Sequence, residues 1–293
     1  MSPHKPRVGF IGLGNMGTPM SRRLVEAGYS VAGTDLSAPN RQRLEAAGGT
    51  AVETAAEVAA GSDVLILMLP NSDVVEAVLL DGGVAAALPA AAVIVDMSSS
   101  EPLRTRALAG RLAADGLARL VDAPVSGGVG GAERGTLTIM AGGEADTIAE
   151  LADVLAVLGR VRHTGAVGSG HALKALNNLL SATHLLATSE AMVAGQEFGL
   201  DPSTMLEVFN ASSGRSGSTE NKWPNFVLPG GYDSGFGLGL MLKDMKIATD
   251  LASGLGRPGR LGSRAVELWA EAHGELNPGA DHTEIARWAG HAS

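Results

Sequence analysis

Arg7-Val8-Gly9-Phe10-Ile11-Gly12-Leu13-Gly14-Asn15-Met16-Gly17, RVGFIGLGNMG in one-letter code, is the stretch that decides the fold. An apolar run stops at three glycines spaced G-x-G-x-x-G, and a stretch with helical character, Thr18 to Ala27, takes over. On its own the spacing is a weak signal. Its setting strengthens it: a strand precedes, a helix follows, and a second strand candidate ends at Asp35, about 20 residues on. Each glycine then has a task. Gly12 permits a tight turn, Gly14 lets the backbone approach a pyrophosphate, and Gly17 lets the helix pack on the sheet. Free amides at the helix start meet the anion, so Gly12, Leu13, Gly14, Asn15, Met16 and Gly17 form the candidate cofactor loop. A carboxylate at Asp35 accepts hydrogen bonds from ribose hydroxyls and repels a 2′-phosphate, which selects NAD over NADP. Arg41 and Arg43 lie close enough in sequence to soften that choice, and NADP remains the alternative.

The surrounding pattern extends the reading. Strand candidates Arg7 to Gly12, Ser30 to Asp35, Asp63 to Leu69, Ala92 to Met97, Ala118 to Pro124 and Thr136 to Gly142 are mostly separated by helical stretches such as Pro102 to Asp115. That alternation implies an α/β domain with a doubly wound parallel sheet. After His163–Gly170 the pattern changes. His171 to Phe198 contains no proline and one glycine, Gly195, and its apolar residues recur at three- and four-residue steps, which predicts one helix about 40 Å long. Gly199 stops it, and Asp201-Pro202 supply a cap and a first-turn proline for the next helix. Further helices are expected at Met241 to Ser253, Gly262 to Gly274 and Thr283 to Ala289, the last with a capping box from Asp281 and Glu284. The expected division is residues 1–165 as a dinucleotide-binding domain and 166–293 as an all-helical substrate and oligomerisation domain.

Composition excludes several function classes. A chain of 293 residues exceeds the usual single core, so two domains are expected. The net charge of −9 gives no basic footprint for nucleic acid. Without cysteine there is no disulfide, zinc-thiolate centre or catalytic thiol, which fits a reducing compartment. No apolar core of a signal peptide precedes the first strand, and the longest apolar run, Val84 to Val95, is broken by Pro89 and is too short to span a membrane. A cytoplasmic protein with no membrane partner is expected. The seven histidines show no H-x-x-x-H spacing, so no metal is expected, and His184 is read as packed or capped.

Five linked stretches, GFIGLGNMGTPM, DMSSSEP, DAPVSGGVGGAERGTLTIMAGG, GSGHALKALNNLL and FGLGLMLKDMKIA, occur in the order and spacing of the β-hydroxyacid dehydrogenases. Nearly the whole chain, Arg7 to about Arg287, resembles this family, and in particular its 3-hydroxyisobutyrate dehydrogenase-like members. The resemblance implies a Rossmann-type domain, an all-helical second domain, a long interdomain helix and an active site between the domains. It implies hydride transfer between NAD and a small hydroxy-acid substrate.

Alcohol oxidation by hydride transfer also releases a proton, and a partly desolvated lysine can take it up. The resemblance assigns that role to Lys174, with Asn178, one helical turn on and on the same face, orienting substrate. The Ser126 hydroxyl and the amides left open by Gly127 and Gly128 suit a substrate carboxylate, and the resemblance places substrate there too. It carries nicotinamide and ribose contacts over to Leu69, Pro70 and Ser99, the last standing where the family commonly has threonine. Ser98 and Ser100 read equally as cap or turn residues. Phe236 either covers the nicotinamide or belongs to the core. Lys243 reaches cofactor or substrate, with Asp244 either holding it or forming a surface pair. Arg215 in SSGRS either reads substrate charge or is structural. The helical domain is implied to join subunits into a homodimer or homotetramer. Competing readings are a semialdehyde, glyoxylate or imine reductase on the same fold, and a non-catalytic NAD-binding regulator.

Overall fold

The computed structural model describes residues 5–291, and the chain divides into two compact units that meet in sequence between Lys174 and Ala175. Among the described residues nine strands form one sheet: β1 (Val8–Ile11), β2 (Val31–Thr34), β3 (Thr50–Ala51), β4 (Val64–Leu67), β5 (Val93–Asp96), β6 (Arg119–Asp122), β7 (Val125–Ser126), β8 (Leu137–Gly142) and β9 (Gly159–Gly165). Their spatial order is β3-β2-β1-β4-β5-β6-β8-β7, with β9 on β8. β1 to β6 pair in parallel throughout. Chain order reverses at β1, which lies between β2 and β4, so the glycine loop leaves the sheet at the switch point where ligands bind in such folds.

The parallel strands read as unbroken apolar runs because both of their faces are covered. Val8, Phe10, Val64, Ile66, Val93 and Val95 enter one core, while Ile11, Leu65, Leu67 and Ile94 enter the other. The purely parallel expectation fails at β8, which runs antiparallel to β6 and β7. The chain between β7 and β8 is short and holds only the helix Gly128–Arg134, too little for a parallel crossover. Strands β3, β7 and β9 were not anticipated: two are two residues long, and β9 is polar and has no buried residue.

The helices that position functional groups in the first unit are α1 (Gly17–Glu26), α2 (Pro102–Ala114) and α3 (Gly128–Arg134). The long helix α4 (Ser169–Phe198) begins in this unit and continues into the second; its 30 residues give a length of about 45 Å. It ends at Gly199, whose φ of +97° is costly for any side chain. Asp201 then accepts the Thr204 amide at 2.8 Å, and Pro202 opens α5 (Pro202–Asn210). Gly195 inside α4 leaves room for the end of the Met205 side chain, which a Cβ there would push aside.

The second unit continues with α6 (Leu238–Gly254), α7 (Arg260–Glu275) and α8 (Ile285–His291), around a core that includes Met192, Trp223, Met245 and Trp269. The capping box of Asp281 and Glu284 is present, but it closes a 3-10 turn, His282–Glu284, before α8 rather than one continuous helix. A π-helical segment, Ser218–Val227, contains Pro224, whose missing N–H breaks the regular ladder. Among the described residues no helix is long and apolar enough to cross a membrane.

Candidate active site

The glycine loop is built from close backbone approaches. A Cβ on Gly17 would overlap the Gly12 carbonyl oxygen, and one on Gly12, at φ +95°, would overlap the Met68 carbonyl at the end of β4. A Cβ on Gly14 would meet nothing, so a ligand can approach there, and Gly14 and Asn15 are exposed. α1 has no side-chain cap and no acidic residue in its first turn, which leaves its positive end to an anion. Leu13 differs from its neighbours. Its side chain is fully buried in the core, and its amide donates to Asp35 Oδ2 at 2.7 Å.

That bond ties the tip of β1 to the tip of β2. Asp35 Oδ1 also accepts the Ser37 amide at 2.8 Å, so the carboxylate stands fixed beside the loop. Arg41 is engaged locally, donating to the Asp35 carbonyl at 2.7 Å and pairing with Glu53 at 3.4 Å. Arg43 donates to Asn40. At the tips of β4 and β5, Ser98 Oγ accepts the Leu69 amide at 2.9 Å, while Asp96 accepts the Ser98 amide and the Ser100 hydroxyl. The two buried serines therefore hold the loops together and leave half-buried Ser99 and exposed Pro70 at the rim.

Asp122, at the end of β6, is the residue that sequence reasoning passed over. Its Oδ1 accepts the Gly168 amide at 2.6 Å and its Oδ2 the His171 amide at 2.8 Å, so one carboxylate pins the start of α4. Gly142 and Gly170 make the fit: a Cβ on either would press on Asp122, and one on Gly170 would also strike the Met140 carbonyl. Burial raises the Asp122 carboxyl above its usual range, partly offset by attraction to His171 and by the backbone bonds. The His171 ring, completely buried, packs between Asp96 at 3.7 Å and Asp122 at 3.9 Å, with Nδ1 2.9 Å from Thr105 Oγ1 on α2.

Lys174 lies one turn along from His171 and is only 9% exposed. Four residues downstream of Asp122, Ser126 is half-buried on β7, and Gly127 and Gly128 are exposed with φ of +130° and +61°. A signal for Asp122 was available in the DAPVSGG stretch, where its carboxylate precedes the proposed anion loop.

In the second unit, buried Asn178 donates to Asp244 Oδ2 at 2.7 Å, and Asp244 Oδ1 lies 3.2 Å from Lys243 Nζ. Asp244 is 2% exposed, so the Lys-Asp contact is not a surface pair. Asn177 is exposed. Phe236 packs edge-on against His282, with ring centroids 5.7 Å apart, beside the helical core. Arg215 is bridged to Glu220 at 2.7 Å and lines a cavity of about 350 Å³ with His184 and Phe209. His184 is exposed rather than packed or capped, because it falls on the outward side of α4. Lys222 was also missed. Burial draws its amine down to about 8, partly offset by the charge of Asp281, and Nζ donates to Ser181 Oγ at 2.7 Å.

Comparison with known proteins gives the family of the chain. The model of the NAD binding domain of 6-phosphogluconate dehydrogenase matches residues 7–168. A second model, NAD-binding of NADP-dependent 3-hydroxyisobutyrate dehydrogenase, matches residues 168–289. The chain is 43% identical over 246 residues to 2-(hydroxymethyl)glutarate dehydrogenase of Eubacterium barkeri, covering 83% of this chain and 81% of that one. It is 39% identical over 274 residues to the human mitochondrial 3-hydroxyisobutyrate dehydrogenase, covering 90% and 81%. The solved structure of Mycobacterium tuberculosis 3-hydroxyisobutyrate dehydrogenase with L-serine matches with a TM-score of 0.91 at 32% identity, over 97% of this chain and 99% of that one. With a glycine turn at the switch point of the sheet and family models matching residues 7–168 and 168–289, the chain belongs to the 3-hydroxyisobutyrate dehydrogenase family and is an NAD(P)-dependent β-hydroxyacid dehydrogenase.

Proposed function

We propose that Lys174 is the acid/base that takes the hydroxyl proton of a small, 3-hydroxyisobutyrate-like acid. The observation that carries this is the pair of hydrogen bonds that Asp122 accepts from the Gly168 and His171 amides. It fixes the first turns of α4, so that a buried amine is held on a rigid element rather than a mobile one. NAD, when bound, accepts the hydride. Lys174 accepts the proton at Nζ, and in the reverse direction, reduction of a semialdehyde, returns it. Ser126, Gly127 and Gly128 hold the substrate carboxylate, and Asn178 orients the hydroxyl. Gly12, Gly14, Asn15, Met16 and Gly17 seat the pyrophosphate, while Leu13 contributes by holding Asp35 toward the ribose. Leu69, Pro70 and Ser99 border the nicotinamide, with Phe236 and Lys243 completing its surroundings.

The division near residue 165 gives the dinucleotide site to the N-terminal part and oligomerisation to the helical part. Leu173, Leu176 and Leu180 are exposed in a row on α4, and we assign this row to a homodimer or homotetramer contact. A cytoplasmic location suits a chain without thiols. The test is NADH formation with 3-hydroxyisobutyrate, glycerate, 3-hydroxypropionate, 4-hydroxybutyrate and 2-(hydroxymethyl)glutarate. Turnover of at least one β-hydroxy acid is expected; NAD binding without turnover of any would overturn the reading.

A further inference from the structure

Asp35, just past β2, presents an anion and also anchors a cation. Its carboxylate accepts the Leu13 and Ser37 amides at 2.7 and 2.8 Å. Its carbonyl oxygen accepts Arg41 Nη1 at 2.7 Å, and the Leu36 carbonyl is a second acceptor at 3.5 Å. Arg41 stands in the first turn of the helix Ala38–Ala46 and is half-buried. All of these groups belong to the first unit.

The guanidinium is matched only loosely by a carboxylate. Arg41 Nη2 lies 3.4 Å from Glu53 Oε2, and the Glu53 side chain is 81% exposed. Glu53 follows β3, where the Thr34 hydroxyl donates to its carbonyl oxygen at 3.3 Å and keeps the residue beside the end of β2. Arg43 turns away, donating to Asn40 Oδ1. An exposed ion pair of this length contributes little to holding its partners. A phosphate monoester offers three acceptor oxygens and a larger charge, and a guanidinium fork binds it in preference to a single solvated carboxylate oxygen. The two carbonyl bonds meanwhile keep the guanidinium on the residue whose carboxylate is assigned to the ribose.

We propose that Arg41 is the residue that admits a 2′-phosphate, and that Glu53 determines cofactor specificity by holding Arg41 back. Paired with Glu53, Arg41 leaves the repulsion of Asp35 unopposed and NAD is favoured. Exchanging Glu53 for the phosphate, Arg41 offsets that repulsion and NADP is accepted. This rests on the reading of Asp35 as the ribose-directed carboxylate. Cofactor choice is then a balance between one fixed charge and one exchangeable ion pair at the same strand end.

The experiment measures Kd for NADH and NADPH by isothermal titration calorimetry in the full-length protein and in Glu53→Gln, Arg41→Met and the double variant. The native protein is expected to prefer NADH. Glu53→Gln should raise the affinity for NADPH relative to NADH by about three- to fivefold, the size of an exposed ion pair. Arg41→Met should lower that relative affinity by about tenfold, the loss of a charge-assisted contact to phosphate. The double variant should match Arg41→Met to within about twofold, because Glu53 acts only through Arg41. An unchanged ratio in Arg41→Met overturns the proposal. So does a gain from Glu53→Gln that persists in the Arg41→Met background, since that gain would be the long-range loss of a negative charge. If the Arg41 variants fail to fold, Glu53→Gln alone decides: an unchanged or lowered ratio overturns the proposal. Binding of neither dinucleotide removes the dehydrogenase reading and the proposal together, whereas an NADH preference insensitive to both residues removes only the proposal.

Discussion

Replacing Asp122 with alanine tests whether one buried carboxylate holds the start of the helix that carries Lys174. The substitution leaves the Gly168 and His171 amides, now bonded at 2.6 and 2.8 Å, without acceptors. Each buried donor left unsatisfied costs about 1–3 kcal/mol, so the gross loss is roughly 2–6 kcal/mol. Part is returned, because burial opposes the charge of this carboxyl and raises its pKa. A net destabilisation of about 2–4 kcal/mol remains, equivalent to a Tm lower by roughly 5–15 °C in a chain of this size. Asp122→Asn keeps one acceptor and sheds the charge, so about 1 kcal/mol is expected.

The pH dependence has a definite sign. A carboxyl whose folded pKa is raised binds its proton more tightly in the folded chain. Its stabilisation is present below the unfolded pKa and is lost as pH rises through the folded one. Asp122→Asn lacks that slope. Thermal unfolding by circular dichroism between pH 4 and 8, with hydrogen exchange at the His171 amide, measures both effects. A Tm for Asp122→Ala within 1 °C of the native value, with unchanged exchange, would refute the pinning argument.

Other outcomes follow from the same geometry. Asp35→Ala removes the carboxylate that we propose faces the ribose; like-charge repulsion of about 1–3 kcal/mol against a 2′-phosphate predicts a relative gain for NADP of about 5- to 150-fold, read as the ratio of kcat/KM values, and an unchanged ratio contradicts the assignment. Ser126→Ala should raise KM for the hydroxy acid about tenfold with little change in kcat, and the reverse pattern would move Ser126 from binding to chemistry. Lys222, lowered to about 8 by burial, destabilises the fold below that pH, and the penalty is relieved as pH rises toward the ordinary lysine value near 10.5. Lys222→Met should therefore melt higher than the native protein at pH 7, with the gap closing between pH 8 and 10.5; a gap independent of pH contradicts the assignment.

What could be read from sequence follows from where the determinants lie. The glycine loop, β4 and β5 were legible because buried parallel strands and a turn of fixed geometry constrain neighbouring residues in the chain. The ends of α4 and α5 were legible through Gly199, Asp201 and Pro202, whose effects are local. Leu13 was legible only as a motif position, since its buried side chain and its amide bond to Asp35 depend on how β1 meets β2. Asp122 and Lys222 act through partners 46 and 41 positions away, Gly168 and Ser181, and no local pattern encodes such a pairing. The antiparallel turn of β8 was hidden for a related reason: its direction depends on the length of the connection, whereas its apolar composition is the same either way.

Lys174→Ala tests the central claim most directly, in an assay that follows NADH formation alongside NAD binding by fluorescence. The account predicts a fall in kcat of about 10²- to 10⁴-fold with NAD affinity unchanged. Near-native kcat in the folded variant would show that the proton is taken up elsewhere, and the role given to the buried amine on α4 would be wrong.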